Sequence, residues 1–184
     1  TGLTSITIPD SVTSIGSSAF YDCSGLASIT ISGSVSTIEN STFRDCTSLA
    51  SVIIPNSVTS IGANAFLNCT SLTNIMIPSS VTWIGSGAFY SCSGLTGITI
   101  PNSVTSIGSN AFHSCTSLTD ITIPDSVTWI GNYTFSNCSN LASAQFDGDA
   151  PSIGLEVFGN TQVSYTIVGA ANAASYGGDG ATYG

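Results

Sequence analysis

The chain has 184 residues, with ten acidic side chains against a single basic one, Arg44, and a net charge of −9. A nucleic-acid backbone needs lysine and arginine to displace its counterions, so this balance excludes nucleic acid as a partner and disfavours an anionic membrane surface. No apolar run approaches the roughly 20 residues that span a bilayer.

Leucine returns at Leu3, Leu26, Leu49, Leu72, Leu95 and Leu118, with a worn copy at Leu141, always 23 residues apart. A fixed period of this length predicts a repeat solenoid, in which each coil contacts only its neighbours. One elongated domain is expected over residues 1–163, followed by a cap or tail over 164–184. Thr1-Gly2 matches the last two positions of a preceding copy, so the array is expected to begin upstream. In each copy Leu-x-x-Ile-x-Ile alternates apolar and polar residues, which is strand periodicity. Pro9, Pro55, Pro78, Pro101 and Pro124 lack the N–H a ladder needs and end that strand, with Ser32 in their place in the second copy. Val12 and Ile15 then point inward across two outward residues, and Gly16 suits a left-handed turn. Position fifteen of the copy holds Ser17, Asn40, Ser86, Ser109 or Asn132, with Ala63 as the exception, and each of these polar residues is placed to cap a short helical turn. On such a turn Ala19, Phe20 and Cys23 share one inward face.

The inward groups of one copy cannot offset the ~1–2 kcal/mol that ordering each residue costs, so a single copy is expected to be unfolded. Stacking at a strand spacing of ~4.8 Å supplies the rest and gives a rod about 34 Å long.

Together these residues read L-x-x-I-x-I-P-x-S-V-T-x-I-G-x-x-A-F-x-x-C, and over residues 3–140 the pattern resembles the BspA-like leucine-rich repeat family. The resemblance implies a leucine-rich repeat solenoid with short parallel β-strands and a short helical turn per 23-residue coil. It also implies a bacterial or protist surface protein that makes adhesive contact with a host or matrix, and it carries over no catalytic residue. The second copy departs at Ser32, Gly33 and Glu39, and the seventh loses both proline and cysteine, so local distortion is expected in each. Asp147 to Pro151 replaces the seventh strand exit, Phe158 keeps the core position and Tyr165 to Val168 suits a last strand. The small-residue tail after it is similar to the closing segment of bacterial arrays of that family and reads as a cap with a linker or loose end.

The cysteines, Cys23, Cys46, Cys69, Cys92, Cys115 and Cys138, form one structural ladder. Parallel side chains in register keep their Cβ atoms farther apart than the ~3.8 Å a disulfide prefers, so they read as buried free thiols filling the core. With no Cys-x-x-Cys and one histidine, neither a metal nor a cofactor is implied. His113 stands two residues before Cys115, but its position elsewhere holds Tyr21, Arg44, Leu67, Tyr90 or Ser136, which marks a solvated, variable site rather than a nucleophile pair. Asp22 and Asp45 are adjacent in the stack, yet two carboxylates are too few for calcium, and a solvated acidic edge is expected. Thr4, Ser5 and Thr7 begin an outer column that invites an ice-binding reading, which Ile53, Met76 and Gln145 interrupt.

Trp83 and Trp129 share a position that holds Ser14, Ser60 and Ser106 in other copies. Their neighbours Val81 and Ile84 point inward, so the indoles are expected to face out about 10 Å apart, with Ser106 between them. They read either as a patch for sugar rings or a partner's apolar side chain, or as rings lying flat on the coil. Sequons at Asn40, Asn68, Asn132 and Asn137 are candidate glycosylation sites, although capping and turns favour asparagine there in any case. The expected function is non-catalytic: an extracellular or cell-surface adhesion module that binds protein or carbohydrate, or else a structural subunit stacking end to end. The second reading draws on the first copy, whose Leu3, Ile6, Ile8, Val12, Ile15 and Phe20 would present an open apolar face.

Overall fold

The computed structural model describes residues 2–149 and 151–167. Every coil contributes a strand from its Leu-x-x-Ile-x-Ile segment: β1 (Ser5–Thr7), β2 (Ser28–Thr30), β4 (Ser51–Ile53), β6 (Asn74–Met76), β8 (Gly97–Thr99), β10 (Asp120–Ile123) and β12 (Ser143–Phe146). From the second coil onward a two-residue strand follows the proline turn: β3 (Thr37–Ile38), β5 (Ser60–Ile61), β7 (Trp83–Ile84), β9 (Ser106–Ile107), β11 (Trp129–Ile130) and β13 (Ser152–Ile153). The final strand, β14 (Ser164–Ile167), pairs in parallel with β12, so a strand does form within the Tyr165–Val168 segment. The tail that follows lies outside the described residues.

All pairings are parallel, and all but β12 with β14, where Ser143 meets Ser164, are in the 23-residue repeat register, as in Ile61↔Ile84↔Ile107. The second strands form one continuous six-stranded sheet, β3-β5-β7-β9-β11-β13, whereas the first strands divide into β1-β2-β4, β6-β8 and β10-β12-β14. The proline turn is closed by Val58 N–H donating to Pro55 O at 3.1 Å, and the serine one residue before each valine reaches the preceding coil, as when Ser103 Oγ donates to Val81 O at 2.6 Å.

The helical turn expected after the glycine is not formed, and no helix occurs among the described residues. Alternate N–H groups leave the coil instead: Asn64, Phe66 and Asn68 donate to Ser86, Ala88 and Tyr90 of the next coil, while Ala65, Leu67 and Cys69 close turns within their own. A helix would aim its N–H groups along its own axis, whereas here every second one faces the next coil, and the segment adds a third ladder to the stack. That geometry requires left-handed backbone at two columns, one through Ser41, Asn64 and Asn110 (φ 57°, 56° and 58°) and one through Asp45, Asn68 and Asn137 (φ 61°, 60° and 60°). Asparagine, aspartate and serine hold most of these places because short polar side chains tolerate this conformation better than bulky ones, with Gly87, Tyr133 and Glu156 as the exceptions in the first column.

The glycine column has a different task from the left-handed turn predicted for Gly16. A Cβ at Gly85 would lie 2.6 Å from the carbonyl carbon of Gly62, so the missing side chain lets two backbones touch. The capping residues also act between coils: Asn40 Oδ1 accepts from Ala63 N–H at 2.8 Å and Asn132 Oδ1 from Leu155 N–H at 2.9 Å.

Inside, the phenylalanines Phe20, Phe43, Phe66, Phe89, Phe112, Phe135 and Phe158 stack nearly parallel, with centroids 5.2–5.4 Å apart. Phe146 meets Phe158 edge-on at 84° and ends that run. Neither degenerate copy loses its place. The second keeps Ser28↔Ser51 register and closes its turn through Val35 N–H to Ser32 O, with Ser32 Oγ bonded to Asp10, and the seventh retains both β12 and β13. At the other end Leu3 is 41% exposed, whereas Leu26 is fully buried.

The glycine column supplies its own control. Gly85→Ala is expected to lower stability by ~1–3 kcal/mol, because backbone cannot yield to the new methyl. Gly16→Ala, with nothing within 4 Å of its Cβ position, should be close to neutral in the same denaturant titration.

Candidate functional site

Trp83, Ser106 and Trp129 open β7, β9 and β11 and face one another in direct register on the continuous sheet. The isoleucine that follows each of them is fully buried, which turns the preceding side chain outward by strand alternation. The two tryptophans are 39% and 42% exposed, so part of each indole rests on the coil and part is open to solvent. Beside them runs a threonine column, one residue earlier in each coil. Thr82, Thr105 and Thr128 each donate a hydroxyl to the carbonyl of the threonine one coil before, at 3.4, 3.2 and 3.2 Å. Their hydrogens are spent on the backbone, and the oxygens keep accepting capacity.

The other sequence candidates are not brought to this surface. Cys46, Cys69, Cys92, Cys115 and Cys138 are buried free thiols, and Cys23 is a half-buried one. They do more than fill space. Cys92 Sγ donates to Phe66 O at 3.1 Å and Cys115 Sγ to Phe89 O at 3.2 Å, using a lone pair left on a carbonyl that also closes a turn. Burial, the largest influence, pushes the Cys46 and Cys138 thiols up to about 12 and raises Cys69, Cys92 and Cys115 as well.

His113 does not meet Cys115, nor is it simply solvated. Its ring stacks on Tyr90 at 4.7 Å, Nδ1 lies 2.9 Å from Ser114 Oγ and Nε2 3.1 Å from Asn137 Nδ2. With the amide donating to Nε2, the Nδ1 proton points at Ser114, so the imidazole is not poised to take a proton from that hydroxyl. Burial lowers its pKa. Ser136 in the same column is buried, so this position is an organised strip, and Arg44 caps Tyr21 at 5.6 Å to its ring centroid. Asp45 pairs with Arg44 at 3.2 Å and accepts from Asn68 Nδ2 at 3.0 Å. Among the described residues, no group of three or more His, Cys, Asp or Glu is placed to hold a metal.

The sequon asparagines divide between two structural columns. Asn40 and Asn132 accept N–H bonds from the next coil, while Asn68 and Asn137 occupy the left-handed column. Thr42 and Thr134, third residues of two sequons, are fully buried.

Charge is unevenly distributed along the stack. Between Asp45 and Asp120 the chain has no Asp, Glu, Lys or Arg at all, so the middle coils are uncharged while carboxylates flank them. The gap shows in the spacing of charged residues and belongs to no motif.

Parallel ladders on every side and a leucine opening each coil define a leucine-rich repeat solenoid. The sequence pattern of the BspA type leucine rich repeat region matches residues 1–93 and 59–175, and the chain belongs to that family. Among solved structures it is similar to the T. pallidum leucine rich repeat protein TpLRR, with 31% identity and a TM-score of 0.78 over 83% of this chain and 73% of that one. It is also similar to a leucine-rich repeat protein from Bacteroides ovatus, with 28% identity, a TM-score of 0.68 and 90% of this chain covered. A leucine rich cell surface protein from Faecalibacterium prausnitzii is 30% identical, with a TM-score of 0.59 over 90% of this chain. The alignments span 56% and 60% of the last two proteins. No curated protein matches.

The buried thiols have two measurable consequences. A thiol raised in the folded state contributes stability below its unfolded value and loses it as pH climbs toward the folded one, so unfolding midpoints should fall between about pH 9 and 12. Thiol reagent should find little to react with in the native protein and all six cysteines after denaturation without reductant.

Proposed function

We propose that the chain is a non-catalytic contact module acting at a cell surface or outside the cell, and that it engages a protein or glycan through the sheet bearing Trp83, Ser106 and Trp129. The pair of exposed indoles in register carries this reading. Tryptophan offers a large apolar area at small cost in side-chain entropy, and such residues dominate contact energies when they sit in the middle of a surface. The surface location is supported by the cell-surface protein from F. prausnitzii among the similar structures. Beads coated with the chain are expected to adhere to cultured cell layers or glycan-coated plates. The Trp83→Ser, Trp129→Ser double variant should keep its fold, since serine occupies this position in other coils, and lose most of that adhesion. Undiminished adhesion would remove the strip from the function.

A further inference from the structure

We infer that the tryptophan strip binds a neutral, linear β-1,4-linked polysaccharide lying along the solenoid axis, an inference that rests on the contact surface proposed above and names its ligand class. Three observations converge on it. The first is spacing. Trp83 and Trp129 are separated by one intervening strand, which puts them about 10 Å apart along the axis. In a β-1,4-linked chain successive sugars are turned over, so the same ring face recurs at every second residue, at nearly this interval. Two indoles two coils apart therefore stack on sugars i and i+2, and the sugar between them lies over Ser106.

The second is hydrogen-bond polarity. The hydroxyls of Thr82, Thr105 and Thr128 already donate to backbone carbonyls and present oxygen outward, an array of acceptors beside the strip. Sugar hydroxyls are abundant donors along the edges of such a chain, and each can meet an acceptor without displacing a protein bond. The third is charge. Trp83 and Ser106 lie inside the segment between Asp45 and Asp120 that has no charged side chain, and the whole chain has one cation. Sulfated, uronic and phosphate-bearing polymers would find no counter-charge there, while a neutral polymer loses nothing on approach. A protein partner would more often meet a charged rim around its hot spot, which this face lacks over its central coils.

The test uses the full chain with cellohexaose, xylohexaose, mannohexaose and chitohexaose as probes, and maltohexaose as the α-1,4-linked control, read by tryptophan fluorescence and calorimetry. At least one β-linked hexamer should bind, its dimer should bind at least about tenfold more weakly because it spans one indole, and maltohexaose should not bind. Trp83→Ser and Trp129→Ser should each weaken the hexamer by about tenfold or more. The decisive variant combines Ser106→Trp with Trp129→Ser, which keeps two indoles but brings them into adjacent coils. It should bind no better than Trp129→Ser alone, and wild-type affinity in this variant would overturn the spacing argument. If no β-linked hexamer binds but peptides selected from a random display library require both tryptophans, the glycan assignment falls and the contact strip stands. If neither probe depends on the tryptophans, both fall.

Discussion

Every coil must sit one strand spacing from the next on all of its sides at once, and the rest of the structure follows from that constraint. Side chains thick enough to fill the core also hold backbones apart, so the sequence supplies flat phenylalanine rings where a stack is needed and no side chain where backbones meet. Phe66 and Phe89 lie 5.3 Å apart and nearly coplanar in tilt, while Gly62 and Gly85 meet through bare backbone. The third ladder, built from alternate N–H groups after the glycine, holds the remaining side at the same distance.

Periodicity made the strands, the core columns and the family pattern legible in the residues, because burial on a coil of fixed length forces the same residue type to return. Inter-coil bonding was harder to see. Gly16 and its column looked like left-handed turns, yet the left-handed positions carry Asp45, Asn68 and Asn137, and a side chain that tolerates positive φ resembles one that caps a helix. The inward place of five cysteines follows from the repeat, while Cys23 is half-buried in the first coil, and the bonds to phenylalanine carbonyls depend on where a neighbouring coil aims its oxygen. His113 was read from variability in its column, which gave no sign that Tyr90 would stack on it. The outward direction of Trp83 and Trp129 needed only the alternation around Val81 and Ile84.

Form and function occupy different layers of the same coil. The inward columns tolerate little variation, since each member rests on an identical neighbour, and the structural polar columns are committed to backbone groups one coil away. Substitution is cheap at outward positions such as those of Ser60, Trp83 and Ser106, where the sheet beneath does not depend on the side chain. A repeat array can in this way acquire a binding strip by changing two residues and leaving the ladder untouched.

The thiol ladder bears on how the chain reaches its native state. Unfolded, it carries six cysteines with nothing to stop them pairing at random in an oxidising medium. Its bonds join residues about one repeat apart in sequence, as in Cys92 to Phe66, so each thiol is sheltered only once neighbouring coils have stacked. Stacking withdraws the sulfurs into a place where their thiolates are disfavoured, and thiol–disulfide exchange requires the thiolate. The packing that gives the chain its shape therefore also guards its thiols.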